Sequence, residues 1–421
     1  MRASLVGTGY VGIVTGACFA HSGHDVIMVD NIKEKVDAIN AGRSPIYEKG
    51  LEEMISEEVR RGRLKGTTNL REAVEFSDIT FICVGTPALP DGSQNLAYVK
   101  AAAEEIGAAI EEKDIFHTVV VKSTVAPGTT LGTVKPILEQ TTGKKAGEGF
   151  GLGMNPEFLK EGDALNDFLK PDRIVYGCVG EGAAKMLREI YAPFSAPVIE
   201  KDCTTAEMIK YASNSLLAAR VALIDEIGNI CKALGIDVRD VAAAAGMDRR
   251  IGPHFLHAGI GFGGSCFRKD VSALAWKGGE LGVETPILSS VISQNDAQPL
   301  RIVQLLTSRM DVKGRRIGIL GLSFKPGTDD IRDAPSIVVV RSLLEKGAKV
   351  VAYDPMAKEN FSKLFPQVSY AKSASEVVAS SDSVLVLTEW KEFADPSLYG
   401  NKPVFDGRGV TRTANYEGVC W

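Results

Sequence analysis

The segment GFGGSCFRKD, residues 261–270, sets a cysteine where packing alone would not put one. Cys266 follows two adjacent glycines and a serine and precedes Arg268, Lys269 and Asp270. A core thiol usually has apolar neighbours at strand or helix spacing. This one lies among residues that bend backbone and carry charge, which suits a nucleophile: sulfur adds to a carbonyl carbon and also leaves readily. A second constellation is Gly7, Gly9 and Gly12, a GxGxxG directly after the apolar run ASLV, with Asp30 closing the next run, VIMVD. That order gives a tight turn, close backbone approach to a pyrophosphate, and tight helix–strand packing. It also leaves a carboxylate for the adenosine ribose that repels a 2′-phosphate. The expected cofactor is therefore NAD rather than NADP. A third is Lys210 with Asn214, four apart and so on one helix face, in a stretch otherwise rich in apolar and small residues.

These groups need elements to hold them. Residues 2–30 read strand, glycine turn, helix, strand. The first twenty residues also carry the basic start, apolar stretch and small residues of a signal peptide, but the segment that follows completes a βαβ unit and favours the fold reading. DITFICVGTP (78–87) and HTVVVKSTVAPGTT (117–130) continue the alternation. Thr86, Ser123 and Thr124 thus fall at carboxyl ends of strands, where ligands of doubly wound sheets collect; the same hydroxyls also suit turns and caps. The pattern recurs at the C-terminal end: RRIGILGLSFKPGTDD (315–330), then AKVVAYDP (348–355) matching HDVIMVDN, then SDSVLVLTEW (381–390) matching SDITFICVGT. Lys325 and a longer loop replace the GxGxxG, so the second half is expected to serve another ligand. Between the halves, residues 203–235 have helical periodicity. Thr204 with Glu207 forms a capping-box pattern and Gly235 can end the helix. About thirty helical residues span roughly 45 Å, enough to bridge two domains and offer a dimer surface.

Composition sets outer bounds. The chain has 421 residues, 45% hydrophobic and 24% charged, with a formal net charge of −5. Such a balance gives no general attraction to nucleic acid or to an anionic membrane, and no run is long and apolar enough for a membrane span. The seven cysteines are odd in number and lack CxxC spacing, so neither a disulfide framework nor a metal site is expected, and a reducing cytoplasm is the simplest setting.

The chain resembles the UDP-glucose dehydrogenase family along nearly its whole length. The resemblance rests on GTGYVG, VGTP, STVAPGTT, NPEFLKEG (155–162), EMIKYASN (207–214), RIGPHFLHAGIGFGGSCFRKD (250–270), GLSFKPGTDDIRDAPS (321–336) and FDGRG (405–409), which occur in the family's order. It implies an α/β fold: an N-terminal Rossmann NAD-binding domain (1–200), a central helical dimerisation region (201–298) and a C-terminal Rossmann-like UDP-binding domain (299–421). It implies a homodimer through the central helix, and an active site in the cleft between the terminal domains. The implied reaction takes UDP-glucose to UDP-glucuronate in two oxidations. Cys266 would add to the C6 aldehyde, and the resulting thiohemiacetal would be oxidised to a thioester that water cleaves.

The resemblance assigns further roles position by position. Lys210 and Asn214 would stabilise alkoxide charge. Asp270 with Thr124 would hold a water, and Glu161 is the other candidate base. Gly7, Gly9, Tyr10, Val11, Gly12, Asp30, Lys35, Thr86, Thr124, Glu161, Lys269 and Arg332 match cofactor positions. Glu157, Phe158, Leu159, Lys160, Glu161, Lys210, Asn214, His257, Gly263, Phe267, Phe324, Lys325 and Arg408 match nucleotide-sugar positions, and Arg250 one that reaches in from a partner subunit. Arg268 stands where relatives commonly have Pro or Gln, and His257 where some have lysine. Sister enzymes acting on GDP-mannose or UDP-N-acetylmannosamine are the alternative. A 6-phosphogluconate-type dehydrogenase would need neither cysteine nor second nucleotide domain, and a non-catalytic sensor would not need Cys266, Lys210, Asn214 and Asp270 together.

Overall fold

The computed structural model describes residues 1–421, which divide into two compact units, Met1–Ala212 and Ser213–Trp421. The first unit holds β1 (Arg2–Val6), β2 (Asp25–Val29), β3 (Leu64–Thr67), β4 (Ile79–Ile82), β5 (Thr118–Val121), β6 (Gly151–Met154), β7 (Ile174–Val179) and β8 (Val198–Lys201). They form one sheet in the order β3-β2-β1-β4-β5-β6-β7-β8. Every pairing is parallel except β6 with β7. The central strands are buried and mostly apolar because helices cover both faces, with Ser4, Thr80 and Thr118 as buried polar exceptions. The opening stretch is thus a central strand, β1, paired on both sides, followed by the helix Tyr10–His21.

The second unit repeats the plan with β9 (Arg316–Leu320), β10 (Lys349–Tyr353), β11 (Ser369–Tyr370), β12 (Ser383–Val386), β13 (Val404–Asp406) and β14 (Tyr416–Gly418). Its order, β11-β10-β9-β12-β13-β14, is the 3-2-1-4-5-6 of the first sheet's opening strands, and all its pairings are parallel. The loops that follow equivalent strands have diverged. Asp354, after β10, corresponds to Asp30 after β2. Its buried carboxylate accepts from the backbone of Leu322, Ser323, Met356 and Ala357, the Ser323 hydroxyl and the Trp390 indole. With its acceptor sites so occupied, it is unsuited to a ribose.

The helix Cys203–Leu234 runs from the first unit into the second. Its start differs from the capping box expected of Thr204 and Glu207. Asp202 caps it, accepting from Thr205 N–H at 2.9 Å and from the Thr205 hydroxyl at 2.5 Å. Glu207 points away from that end and accepts from the N–H groups of Gly128 (2.5 Å) and Thr130 (2.7 Å). A buried carboxylate goes to the densest set of unpaired donors, and the turn after β5 supplies it.

Candidate active site

In the first unit the dinucleotide turn has the geometry its glycines require. Gly7 has φ +100°, and a Cβ on Gly12 would lie 1.9 Å from the Gly7 carbonyl oxygen. A Cβ on Gly9 would meet nothing within 4 Å, so the space before the helix is open. No side chain caps that helix, which leaves its first N–H groups to an anion. Asp30 accepts from Thr8 N–H (2.9 Å), the Thr8 hydroxyl (2.6 Å) and Ile32 N–H (3.0 Å), and Lys35 Nζ lies 3.5 Å away. Burial opposes its ionisation, but these donors and Lys35 hold the carboxyl below the ordinary range. An open turn, an uncapped helix end and an ionised carboxylate after β2 fit a dinucleotide.

Beyond the turn, the hydroxyl of Thr86 donates to the Thr124 carbonyl (2.8 Å) and that of Ser123 to the Val84 carbonyl (2.6 Å). Both serve the turns they belong to. Gln94, which no motif marks, donates to the Thr124 carbonyl and accepts from Ala126 N–H.

Lys210 is buried, its Nζ 3.0 Å from Glu157 Oε1 and 5.4 Å from the centre of the Phe158 ring. Glu157 also accepts from Leu159 N–H at 2.6 Å. Although burial works against it, Lys210, this N–H and nearby Lys122 hold Glu157 below the ordinary carboxylate range. Lys122 is itself buried, on Asn155 Oδ1 (2.9 Å) and the Tyr191 hydroxyl (3.3 Å), and burial pulls its ammonium down to about 8. Nothing in its VVVKS context, which reads only as a strand end, marks this lysine beforehand. Lys160 instead pairs with Asp167 on the surface.

In the second unit, Cys266 is the N-cap of the helix Phe267–Glu280, and a thiolate is favoured at the positive end of a helix. Its carbonyl accepts from Asp270 N–H at 2.9 Å, one turn on. The buried Asp270 carboxylate accepts from Asn214 Nδ2 at 2.6 Å and pairs with Lys269. Cys266 thus opens the helix whose first turn carries Asp270, and the side chains of Asn214, Lys269 and Asp270 form one cluster. Lys210 lies one turn before Asn214 on the long helix. Arg268 donates through both terminal nitrogens to Asp296, which accounts for the extra charge beside Cys266.

The glycine loop before Cys266 is held peptide by peptide. Gly259 N–H donates to Asp225 Oδ1 (2.6 Å) and its carbonyl accepts from Gln298 (2.6 Å). Phe262 exchanges both backbone bonds with Asn295 (2.8 and 3.1 Å), Arg408 donates to the Gly261 carbonyl (2.9 Å), and Gly264 N–H to that of Arg332 (2.8 Å). A Cβ on Gly263 would meet the Asp333 carbonyl at 2.6 Å and Phe324 at 2.9 Å. Phe267 packs edge-on to Phe262. Burial pushes the Asp225 carboxyl up to about 7, against the pull of Gly259 N–H and Arg408. Asp225, Asn295 and Gln298 sit in helical stretches with nothing to mark them beforehand. Lys325 lies by the Phe324 ring, Arg332 pairs with Asp330, and Arg250 and His257 are exposed, with Arg250 on Asp248.

Known proteins align with the chain from end to end. The NAD binding domain of the UDP-glucose/GDP-mannose dehydrogenase family matches residues 1–195, that family's central domain 204–297, and its UDP binding domain 318–413. A UDP-glucose 6-dehydrogenase of Haloferax volcanii is 45% identical over 97% of this chain and 97% of its own. A GDP-mannose 6-dehydrogenase of Pseudomonas aeruginosa is 43% identical over the full length of both. Among solved structures, a UDP-glucose dehydrogenase of Pyrobaculum islandicum superposes with a TM-score of 0.96 at 43% identity, covering 100% of this chain and 97% of that one.

Proposed function

The chain belongs to the UDP-glucose/GDP-mannose dehydrogenase family, and we propose that it oxidises C6 of UDP-glucose to the carboxylate of UDP-glucuronate. The observation that carries the reading is Cys266 at the N-terminus of the helix whose first turn holds Asp270, itself bonded to Asn214. Bound at the dinucleotide turn, NAD supplies the hydride acceptor for both oxidations.

The remaining chemistry falls to the chain. Lys210 and Asn214, one turn apart, present an ammonium and an amide to oxygen that gains negative charge. The Cys266 sulfur adds to the aldehyde carbon, whose oxygen takes up a proton. This holds the aldehyde until a second hydride and that proton have left and a thioester remains. Water adds to the thioester carbonyl, the carbon–sulfur bond breaks, and the thiol is regenerated. Asp270, fixed by Asn214 and Lys269, is the base we assign to that water, with Glu161 as the other candidate. Lys325 and Arg408 would offset phosphate charge.

Two further parts of the reading rest on exposed side chains and on thiols outside disulfides. Leu216, Leu223 and Ile230 recur every seven residues on the long helix and are 67%, 60% and 55% exposed. A stripe of this kind suits a second copy of the chain, and Arg250, its side chain 89% exposed while paired with Asp248, lies at the surface. None of the seven cysteines forms a disulfide, which suits a reducing cytoplasm, and no helix is long and apolar enough to cross a membrane.

The test is NADH formation with a panel of UDP-glucose, GDP-mannose and UDP-N-acetylmannosamine at fixed NAD. UDP-glucose should give the highest kcat/KM and two NADH per UDP-glucuronate. Preference for GDP-mannose, the substrate in the name of the Pseudomonas relative, would overturn the substrate assignment while leaving the chemistry at Cys266.

A further inference from the structure

Glu48 lies in the loop that precedes the helix Leu51–Arg60 and is 6% exposed. Its carboxylate ties its own loop to two segments of the first unit that are distant in sequence, at Tyr10 and at Gly162–Ala164. Oε2 accepts from the Tyr10 hydroxyl and from Gly162 N–H at 2.7 Å, and Oε1 accepts from Ala164 N–H at 3.0 Å. The same Gly162 N–H lies 3.2 Å from the Tyr10 oxygen, so carboxylate, phenol and amide form a closed triangle.

What these partners belong to gives the triangle its meaning. Tyr10 is the first residue of the helix that opens at the dinucleotide turn, directly after Gly9. Gly162, with φ +87°, ends NPEFLKEG and directly follows Glu161. Glu161 also acts on Tyr10: burial, then Glu48, then Glu161 push the phenol up, so it stays a donor at any working pH. Bonds to a buried carboxylate are strong and directional. The Tyr10 side chain thus crosses from the cofactor turn to the end of the 155–162 segment, and Glu48 fixes both ends.

We propose that Glu48 is a positioning residue that, through Tyr10 and the Gly162 and Ala164 amides, locks the 155–162 segment to the dinucleotide turn and so couples cofactor binding to nucleotide-sugar binding. Occupation of the turn stiffens Tyr10, Tyr10 stiffens Gly162, and Glu161 and its neighbours are held ready for the sugar nucleotide. The sugar half of this coupling rests on the function proposed above; the cofactor half does not.

The variants are Tyr10→Phe, which removes one hydroxyl and leaves Glu48 on both amides, and Glu48→Gln, which turns an N–H against Ala164 N–H. The first measurement is hydrogen exchange of residues 155–164 with and without NADH, with no sugar present. In the wild type NADH should slow exchange at Gly162 and Ala164, and in Tyr10→Phe that slowing should vanish. The second is the UDP-glucose Kd by calorimetry with and without NADH. Wild type should bind more tightly with NADH present, and in both variants the ratio should fall toward one. Reciprocity requires the same loss when NADH is titrated against UDP-glucose. Glu48→Asp, which keeps the charge on a shorter arm, should recover part of the ratio. NADH-insensitive exchange in the wild type would overturn the proposal even if UDP-glucose proves not to be the substrate. So would variants with lower melting temperatures but an unchanged ratio, since a purely structural role predicts that result.

Discussion

Replacing Asp225 with Asn tests the physics of the loop that leads to Cys266. Asp225 projects from the long helix, Oδ1 takes Gly259 N–H at 2.6 Å, and Oδ2 is buried with no partner. Arg408 is the one cation that lowers this carboxyl, and the Cys420 thiol is close enough to feel its charge. The folded value is about 7 against an ordinary 3.8. A carboxyl raised on folding keeps its proton where the unfolded chain has lost it. Its contribution to stability is therefore fully present below pH 3.8, declines as pH rises, and is lost once pH passes the folded value. At about 1.4 kcal/mol for each tenfold change in proton affinity, the whole penalty is about 4 kcal/mol. About 3 kcal/mol of it falls between pH 5 and pH 8. Asparagine keeps the bond to Gly259 through its carbonyl and has no proton to lose. In urea titrations of the intact protein, Asp225→Asn should gain about 3 kcal/mol on the wild type between those two pH values. Parallel pH dependence in the two proteins would show that Asp225 ionises in place without penalty, and that the burial argument is wrong.

Cys266→Ser should still bind UDP-glucose and NAD but fail to complete the oxidation, because a serine alkoxide is far harder to form and its ester is a poorer acyl donor; near wild-type output of UDP-glucuronate would refute this. Asp30→Asn should cut the preference for NAD over NADP by about tenfold or more, the effect of removing a charge from beside the 2′ position; unchanged kcat/KM ratios would sink the ribose assignment. Leu223→Glu places a charge in the middle of the exposed stripe and should shift the protein toward monomer, whereas unaltered sedimentation would move the interface elsewhere. Arg268→Ala should leave Asp296 unpaired and lower kcat by less than about tenfold, since the guanidinium faces Asp296 rather than the sulfur; a loss as large as that of Cys266→Ser would give it a direct role.

The sequence by itself determined whatever local chemistry fixes. Glycine spacing after an apolar run compels the turn at Gly7, and an acidic residue ending the next strand compels an anionic position. Continuous apolar runs compel buried parallel strands, and apolar residues at helical spacing compel the long helix. Cys266 stood out because nothing in its neighbourhood suits a packing residue. Even the repetition of the two halves was legible, since each is built from the same strand–turn–strand grammar.

Only the tertiary structure decided which partner each polar side chain takes. Glu207 had a local partner available and goes instead to the turn after β5, because a buried carboxylate settles on the strongest donors in space, not the nearest in sequence. Asp354 matches Asp30 in position but is filled by donors of its own unit, so its loss of ribose chemistry lies in contacts that no spacing records. Glu48, Lys122 and Asp225 carry no motif and sit in stretches that read as ordinary loop, strand end and helix. Their significance comes from burial beside unpaired backbone groups, and burial is a property of the assembled layers rather than of any segment.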